Sequence, residues 1–392
     1  MSQALITRSP DLARLRAAGY ELDILENKLV VTGVPFLDSQ RRVGRGSLVC
    51  ALVLHGDIAA APEEHTIHWL GETPHNTNGQ PLQNNGAGNI DLGHGPVPAL
   101  IYSRKPLVGK YDSFYAKITA YVRYISGPAR AVDPSVTAQT YRPIETTEDD
   151  SVFCYLNTAI GRGGIEDANR KLKGQRLAIV GTGGTGSYVL DFIAKAEVAE
   201  IHLFDGDVLH SHNAFRAPGA ASVEELRDAP KKVHWLASHY SNIRHHLHAH
   251  PYDIGVGNID ELRNVDFVFL CIDAGPGKSL IVDRLLEFMV PFIDVGMGLR
   301  NDAGVITGRV RVTTITPGKH DHVLNRISRH VPDPDEYRTN IQVVELNALN
   351  AALAVIRWKQ YIGFYADEAG QHHSLYVLPT NTVLNADLSC AE

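Results

Sequence analysis

At 392 residues the chain is long for one domain and comfortable for two, and its 44% apolar content supplies material for two cores. A formal net charge of −7 excludes a general binder of nucleic-acid backbones, which would carry a basic surplus. The amino-terminal stretch lacks the uninterrupted apolar core of a signal peptide, and the longest apolar run, VDFVFLCI, is too short for a bilayer. Four cysteines (Cys50, Cys154, Cys271, Cys390) form no CxxC pair, which argues against a disulfide framework or a four-cysteine zinc site. A soluble cytoplasmic protein without nucleic-acid or membrane partners is expected.

Residues 1–145 read as a separate, smaller α+β domain. DLARLRAAGY predicts a short helix, and KLVVTGVPFLD, GSLVCALVLHG and HTIHWLGETP predict strands. The Asn-, Gly- and Pro-rich NTNGQPLQNNGAGNIDLGHGPVP reads as a long surface loop. YDSFYAKITAYVRYIS has helical spacing, with Phe114, Ile118, Tyr121 and Ile125 on one face. GPARAVDPSVTAQTYRPIETTEDDS, with three prolines and a terminal acidic run, reads as the linker.

Residues 146–392 alternate strands (RLAIV, EIHLFD, HLHAHPYDI, VDFVFLCID, PFIDVG) with helices (SYVLDFIAKA, SVEELRDAPKKVHWLASHYSNI, SLIVDRLLEFM). That alternation predicts an α/β fold, a Rossmann-like doubly wound parallel sheet with helices on both faces. Regularity lapses after RVRVTTITPG and resumes with the helical NIQVVELNALNAALAVIRWKQYI and a strand-like SLYVLP. HHLHAH (His245–His250) alternates as an edge strand would and reads as solvated, not as a ligand set.

The chemistry concentrates at GTGGTGS, between the first of these strands and the first helix. Gly181, Gly183 and Gly186 satisfy G-x-G-x-x-G, with Gly184 beside them, and the helix start offers free N–H groups to a phosphate. Asp205 closes the second strand, 24 residues after Gly181, where a ribose-binding acid is expected. A dehydrogenase using NAD fits equally well to this point. Beyond the strand end, however, DGDVLHSHNAFR carries Asp207, Asn213 and Arg216, and the pair Lys231 and Lys232 opens the next helix. Such cations suit an enzyme in which a carboxylate attacks a phosphate, because two anions repel unless their charge is neutralised. Asp273, at the end of VDFVFLCID, lies where a carboxylate can hold Mg²⁺.

Over roughly residues 155–312 these motifs resemble the ThiF/MoeB family, the adenylating fold shared with ubiquitin-activating enzymes. The sequence is also similar to bacterial members with an extra amino-terminal domain, some of which occur alongside ubiquitin-like and conjugating proteins. The resemblance implies that Asp205 binds ribose hydroxyls, that Asn213, Arg216 and Lys232 or Lys231 hold phosphates, and that Asp273 ligates Mg²⁺. It implies ATP as cosubstrate and a homodimer that passes an arginine, nearest Arg162, into the neighbouring site. The implied reaction is adenylation of the C-terminal carboxylate of a ubiquitin-like protein for transfer to a conjugating-enzyme-like acceptor, in a bacterial conjugation or antiviral defence pathway. An NAD-dependent oxidoreductase and a non-catalytic nucleotide-binding scaffold are the competing readings.

The thioester cysteine of many relatives is missing from TTITPGKHDHVLNRISRHVPDPDEY. Cys50, Cys154 and Cys271 read as buried, and Cys390 as an idle tail thiol. Ser328 is the hydroxyl expected to accept the carrier if an enzyme-bound ester forms, with His320, His322 and His330 near it in sequence.

Overall fold

The computed structural model describes residues 2–388 apart from 56–57, 108, 150, 161–164 and 329–340. Arg162, His330 and Cys390 therefore lie outside the described residues. The chain divides into two compact units, residues 1–144 with 157–164, and residues 145–156 with 165–392.

The first unit contains a six-stranded sheet in the order β1 (Glu21–Leu25), β2 (Lys28–Leu37), β3 (Val43–Ala51), β6 (Thr66–Leu70), β8 (Pro96–Ser103) and β7 (Ala87–Asp91); β4 (Leu54–His55) and β5 (Ile58–Ala59) form a separate ribbon. All neighbouring strands in the six-stranded sheet run antiparallel. The helix Phe114–Val132 buries Phe114, Ile118, Tyr121 and Ile125, the face its spacing predicts, in the core with Trp69 and Tyr102.

Two features differ from the sequence reading. The Gly-rich stretch expected as a loop contains the β7–β8 hairpin. Pro96 and Pro98 are tolerated because β8 meets β6 only at residues 100–103, so the prolines sit where one side of the strand needs no donor. The helix also runs through Gly127 and Pro128 to Val132, where the linker was expected to begin, since Ala129 is wholly buried and holds that turn against the core.

The second unit is a Rossmann-like doubly wound α/β sheet of eight strands. Their order is β11 (Leu247–His250), β10 (Glu200–Phe204), β9 (Arg176–Val180), β12 (Phe267–Leu270), β13 (Phe292–Asp302), β14 (Val305–Ile315), β15 (Gln371–Val377) and β16 (Thr382–Leu388). Strands β11 to β13 are parallel, as their alternation with helices predicts. The last three are antiparallel, contrary to the all-parallel expectation. The two-residue loop Ala303–Gly304, both at positive φ, turns β13 directly into β14, and so short a connection permits only an antiparallel partner.

SVEELRDAPKKVHWLASHYSNI, read as one helix, forms two, Val223–Arg227 and Lys232–Tyr240. Pro230 has no N–H to continue the ladder and excludes helical backbone at Ala229, whose φ is +46°. Cys271 lies just past β12 and not inside it, and it is half-buried, as is Cys154; both were expected to be buried.

The helix Val344–Tyr361 seats Ala351, Ala354, Val355 and Trp358 in the core with Val189, Leu190 and Ile193 of the helix Gly184–Ile193. Trp358 is fully buried, its ring 6.0 Å from that of Phe269 and 6.5 Å from that of Phe267 on β12. Trp358→Ala is expected to destabilise this unit by about 3–5 kcal/mol, the usual cost of a large aromatic deleted from a core. Denaturant unfolding checks it; a loss below about 1 kcal/mol would show that this helix is not anchored as described.

Candidate active site

A cavity of about 450 Å³ opens at the carboxyl ends of β9, β10, β12 and β13, where doubly wound sheets bind ligands, and falls in the size range of small-molecule sites. The glycine loop forms its floor. Gly181 has φ +87° and follows β9 directly. A side chain at Gly186 would overlap the Gly181 carbonyl oxygen, and one at Gly184 would overlap Asn347. At Gly183 an added Cβ meets nothing within 4 Å, so this residue leaves the backbone open to a ligand at the start of the helix Gly184–Ile193.

The loop after β10 supplies the charges. Asp205 is buried, and its Oδ2 accepts from the Thr182 N–H at 2.7 Å and the Thr182 hydroxyl at 3.0 Å. Its Oδ1 accepts from the Asp207 N–H at 2.9 Å. Lys232, also buried, donates to Asp207 Oδ2 at 2.6 Å and stands 3.7 Å from Asp205 Oδ1. The hydrogen bond from Lys232 holds the Asp207 carboxyl below the usual range, against a smaller opposing effect of burial. Lys232 lines the cavity, whereas Lys231 donates to the Gly206 carbonyl; the break at Pro230 sets this choice by starting the helix at Lys232.

Arg216 lines the same cavity, and its buried Nε has no hydrogen-bond partner among the described residues. Asn213 is buried but turned to its own backbone, where its Oδ1 accepts from the His210 N–H at 2.9 Å, and it is not among the lining residues. Asp273 lines the opposite rim, in the turn between β12 and the helix Pro276–Phe288. With Asp205, Asp207 and Asp253 it gives the cavity four carboxylates, the ligand type through which a hard divalent cation such as Mg²⁺ binds, usually one or two at a time. Ser328 is exposed and does not line the cavity, and His322 is buried with its Nε2 3.0 Å from the Thr314 carbonyl oxygen.

Five further residues, three of them lining the cavity (Asn347, Asn350 and Lys278), escape a reading of the chain order. Asn347 and Asn350, three apart on the helix Val344–Tyr361, reach the cavity from the far end of the sequence. Asn347 Oδ1 accepts from the Thr185 hydroxyl at 3.0 Å while its buried Nδ2 has no partner. Asn350 Nδ2 donates to the Gly296 carbonyl at 3.2 Å, leaving its Oδ1 unmatched. Lys278 donates to the Ile272 carbonyl at 3.0 Å and pairs with the wholly buried Asp294 at 2.5 Å. Asp294 also receives Arg311 at 2.6 Å. The one sequence signal for these was polarity in apolar surroundings: two asparagines in an alanine-rich helix, and an acid inside the strand PFIDVG.

Donors without a partner among the described residues (Arg216 Nε and Asn347 Nδ2), a buried lysine, an open glycine backbone and a carboxylate rim mark the ligand edge of a Rossmann-like domain. The family comparison is more specific: the ThiF family model matches residues 157–356, and the chain belongs to the ThiF family. Residues 10–158 match a domain of unknown function, DUF6791. Ubiquitin-like modifier-activating enzyme 5 of Aedes aegypti is 25% identical over 150 residues, 36% of this chain and 38% of that one. The Culex quinquefasciatus protein of the same name is 26% identical over 172 residues, 41% of this chain and 42% of that one. The chain thus spans about two fifths of the length of these curated relatives.

Among solved structures, E. coli MccB with MccA-N7isoASN has a TM-score of 0.47 at 14% identity, covering 79% of this chain and 97% of that one. PaaA has a TM-score of 0.43 at 16% identity, covering 59% and 80%. No helix among the described residues is long and apolar enough to cross a membrane.

Gly186→Ala is expected to destabilise the second unit by about 1–3 kcal/mol, because its methyl group must displace backbone. Gly183→Ala should leave thermal unfolding nearly unchanged while weakening nucleotide binding, since its methyl group enters the cavity. Equal melting temperatures for the two variants would contradict the loop geometry.

Proposed function

We propose that this chain is an ATP-dependent adenylyltransferase that activates the C-terminal carboxylate of a ubiquitin-like protein. The observation that carries the reading is the pairing of Arg216 and Lys232 in one cavity with an open glycine loop, cations that a hydride-transfer site does not need. Membership of the ThiF family supports it, as do the stretches shared with ubiquitin-like modifier-activating enzymes.

In the proposed step a carboxylate oxygen of the carrier forms a bond to the α-phosphorus of ATP. The bond from that phosphorus to the bridging oxygen breaks, and pyrophosphate leaves with the electron pair. No proton changes hands, so the protein contributes position and charge. Arg216 and Lys232 offset the repulsion between the two anions, the amides around Gly183 meet phosphate, and Asp205 meets the ribose hydroxyls with the lone pairs its own loop leaves unused. Asn347 offers a further donor beside the glycine loop. Asp273 would hold Mg²⁺, which would neutralise charge on the leaving pyrophosphate.

The three thiols among the described residues are poor candidates for a second, covalent step. Burial pushes Cys50 up to about 11 and raises Cys154 and Cys271 as well, so thiolate is disfavoured at each. Direct delivery of the adenylate to a conjugating-enzyme-like acceptor fits this best; the exposed Ser328 is the attachment point if an enzyme ester forms. The first unit is assigned to partner recognition, and the second to homodimer formation with an arginine, nearest Arg162, supplied across it. A place in a bacterial conjugation or antiviral defence pathway completes the proposal.

Pyrophosphate exchange into ATP tests the chemistry. Arg216→Ala should lower exchange on the order of 10²- to 10³-fold, the cost of one lost transition-state charge contact, and Asp273→Ala should abolish it. Near-normal exchange in both would reject the assignment. Light scattering on the full chain should report the mass of a dimer at micromolar concentration, and a monomer there would remove the cross-subunit arginine.

A further inference from the structure

Strands β10 and β11 carry a second cluster of ionisable side chains, on the sheet face opposite Ile201, Leu203, Leu247 and Ala249. Their parallel register sets His202 beside His248 and Phe204 beside His250. The rings stack, with centroids 4.7 Å apart for His202–His248, 5.4 Å for His202–His250 and 4.2 Å for Phe204–His250.

A line of polar contacts runs through the stack. His202 Nε2 lies 3.2 Å from Glu200 Oε2, and His202 Nδ1 lies 3.1 Å from His250 Nε2. His250 Nδ1 lies 3.0 Å from the Tyr252 hydroxyl, which donates to Glu261 Oε2 at 3.0 Å. Five groups with a carboxylate at each end make four contacts, but two neutral imidazoles and one phenol bring only three protons. Because Tyr252 gives its proton to Glu261, His250 must donate through Nδ1 and His202 must donate through Nδ1 to His250. The Nε2 lone pair of a neutral His202 then faces a carboxylate oxygen, a contact that is favourable only when a cation, either a proton on Nε2 or a metal ion, stands between them.

We infer that this cation is a divalent transition-metal ion, bound by Glu200, His202 Nε2 and His248. One atom from each of the three lies within 4.8 Å of the others. A tetrahedral site with bonds of about 2.0–2.1 Å needs ligand separations of about 3.3 Å, and the exposed His248 ring must turn out of its stack on His202 to aim a nitrogen at the ion. Two imidazoles and one carboxylate select zinc, nickel or copper over magnesium or calcium, which take oxygen ligands. The fourth position stays open to water or a ligand. The chain His202–His250–Tyr252–Glu261 fixes the tautomer of the metal-bound ring, as outer-shell partners of metal-binding histidines do. The ion ties the edge strand β11 to β10, one stacked ring from Phe204, which lines the cavity described above.

Untagged full-length chain, stripped with a chelator, should bind one equivalent of Zn²⁺ by titration calorimetry. With Co²⁺ in its place it should develop the visible absorption of a low-coordinate site. His248→Ala and Glu200→Gln, with unchanged circular dichroism, should lose both signals, while His246→Gln, in the same run but outside the cluster, should keep them. Tyr252→Phe should weaken Zn²⁺ on the order of tenfold or more by releasing the outer-shell chain. Zn²⁺ stoichiometry that survives both His248→Ala and Glu200→Gln, or a Co²⁺ spectrum identical to that of the aqueous ion, would overturn the site.

Discussion

The second unit is organised around a backbone contact that only glycine permits. Where β9 ends, the chain doubles back at Gly181 so tightly that position 186 rests against the Gly181 carbonyl. This presses the start of the helix Gly184–Ile193 onto the sheet and aims its unpaired N–H groups at the strand ends. The missing side chain at Gly184 admits Asn347, which ties the later helix to the same loop through Thr185. With larger residues at 184 or 186 the helix would stand off, and the floor of the cavity, its dipole and the asparagine wall would all be displaced.

Around that floor the charges are arranged in two groups of different character. Lys278, Asp294 and Arg311 form a buried ion network beneath the cavity, which holds the ends of β13 and β14 beside the helix Pro276–Phe288. Such a network adds little net stability over an apolar core, but removing one member strands the others at about 3–5 kcal/mol. Lys232, Asp207 and Arg216 also line the cavity, but there Lys232 and Asp207 pair with each other while the buried Nε of Arg216 has no hydrogen-bond partner among the described residues. Buried donors left unmatched are costly, which makes the donor of Arg216 beside the glycine loop a point where a ligand would lower the energy.

Much of this could be read along the chain. The strands of the parallel half are short apolar runs, and apolar alternation with helices is a local property that predicts a Rossmann-like layout. The glycine spacing and the acids closing β10 and following β12 mark the ligand edge, because the strand that carries a residue also decides which end of the sheet it occupies. Errors arose where a nonlocal partner outweighed local propensity. β7 and the proline-containing start of β8 look like loop until each is paired with the other, and Gly127–Pro128 looks like a helix end until Ala129 is seen to be buried.

By itself the sequence determined the class of the second unit, its phosphate loop and the residues from Asp205 to Lys232 that could meet an anion, since all of these follow from period, turn chemistry and short spacings. Only the tertiary structure decided that Lys232 and not Lys231 faces the cavity, because that depends on where Pro230 restarts a helix. It also decided that Asn347 and Asn350 join a site whose loop lies some 160 residues earlier, and that antiparallel strands close the sheet. The histidine run shows the limit most plainly. Strand alternation puts His248 and His250 on one face, but only the register of β11 against β10 sets them beside Glu200 and His202. Register is a property of two strands together, and neither strand's sequence contains it.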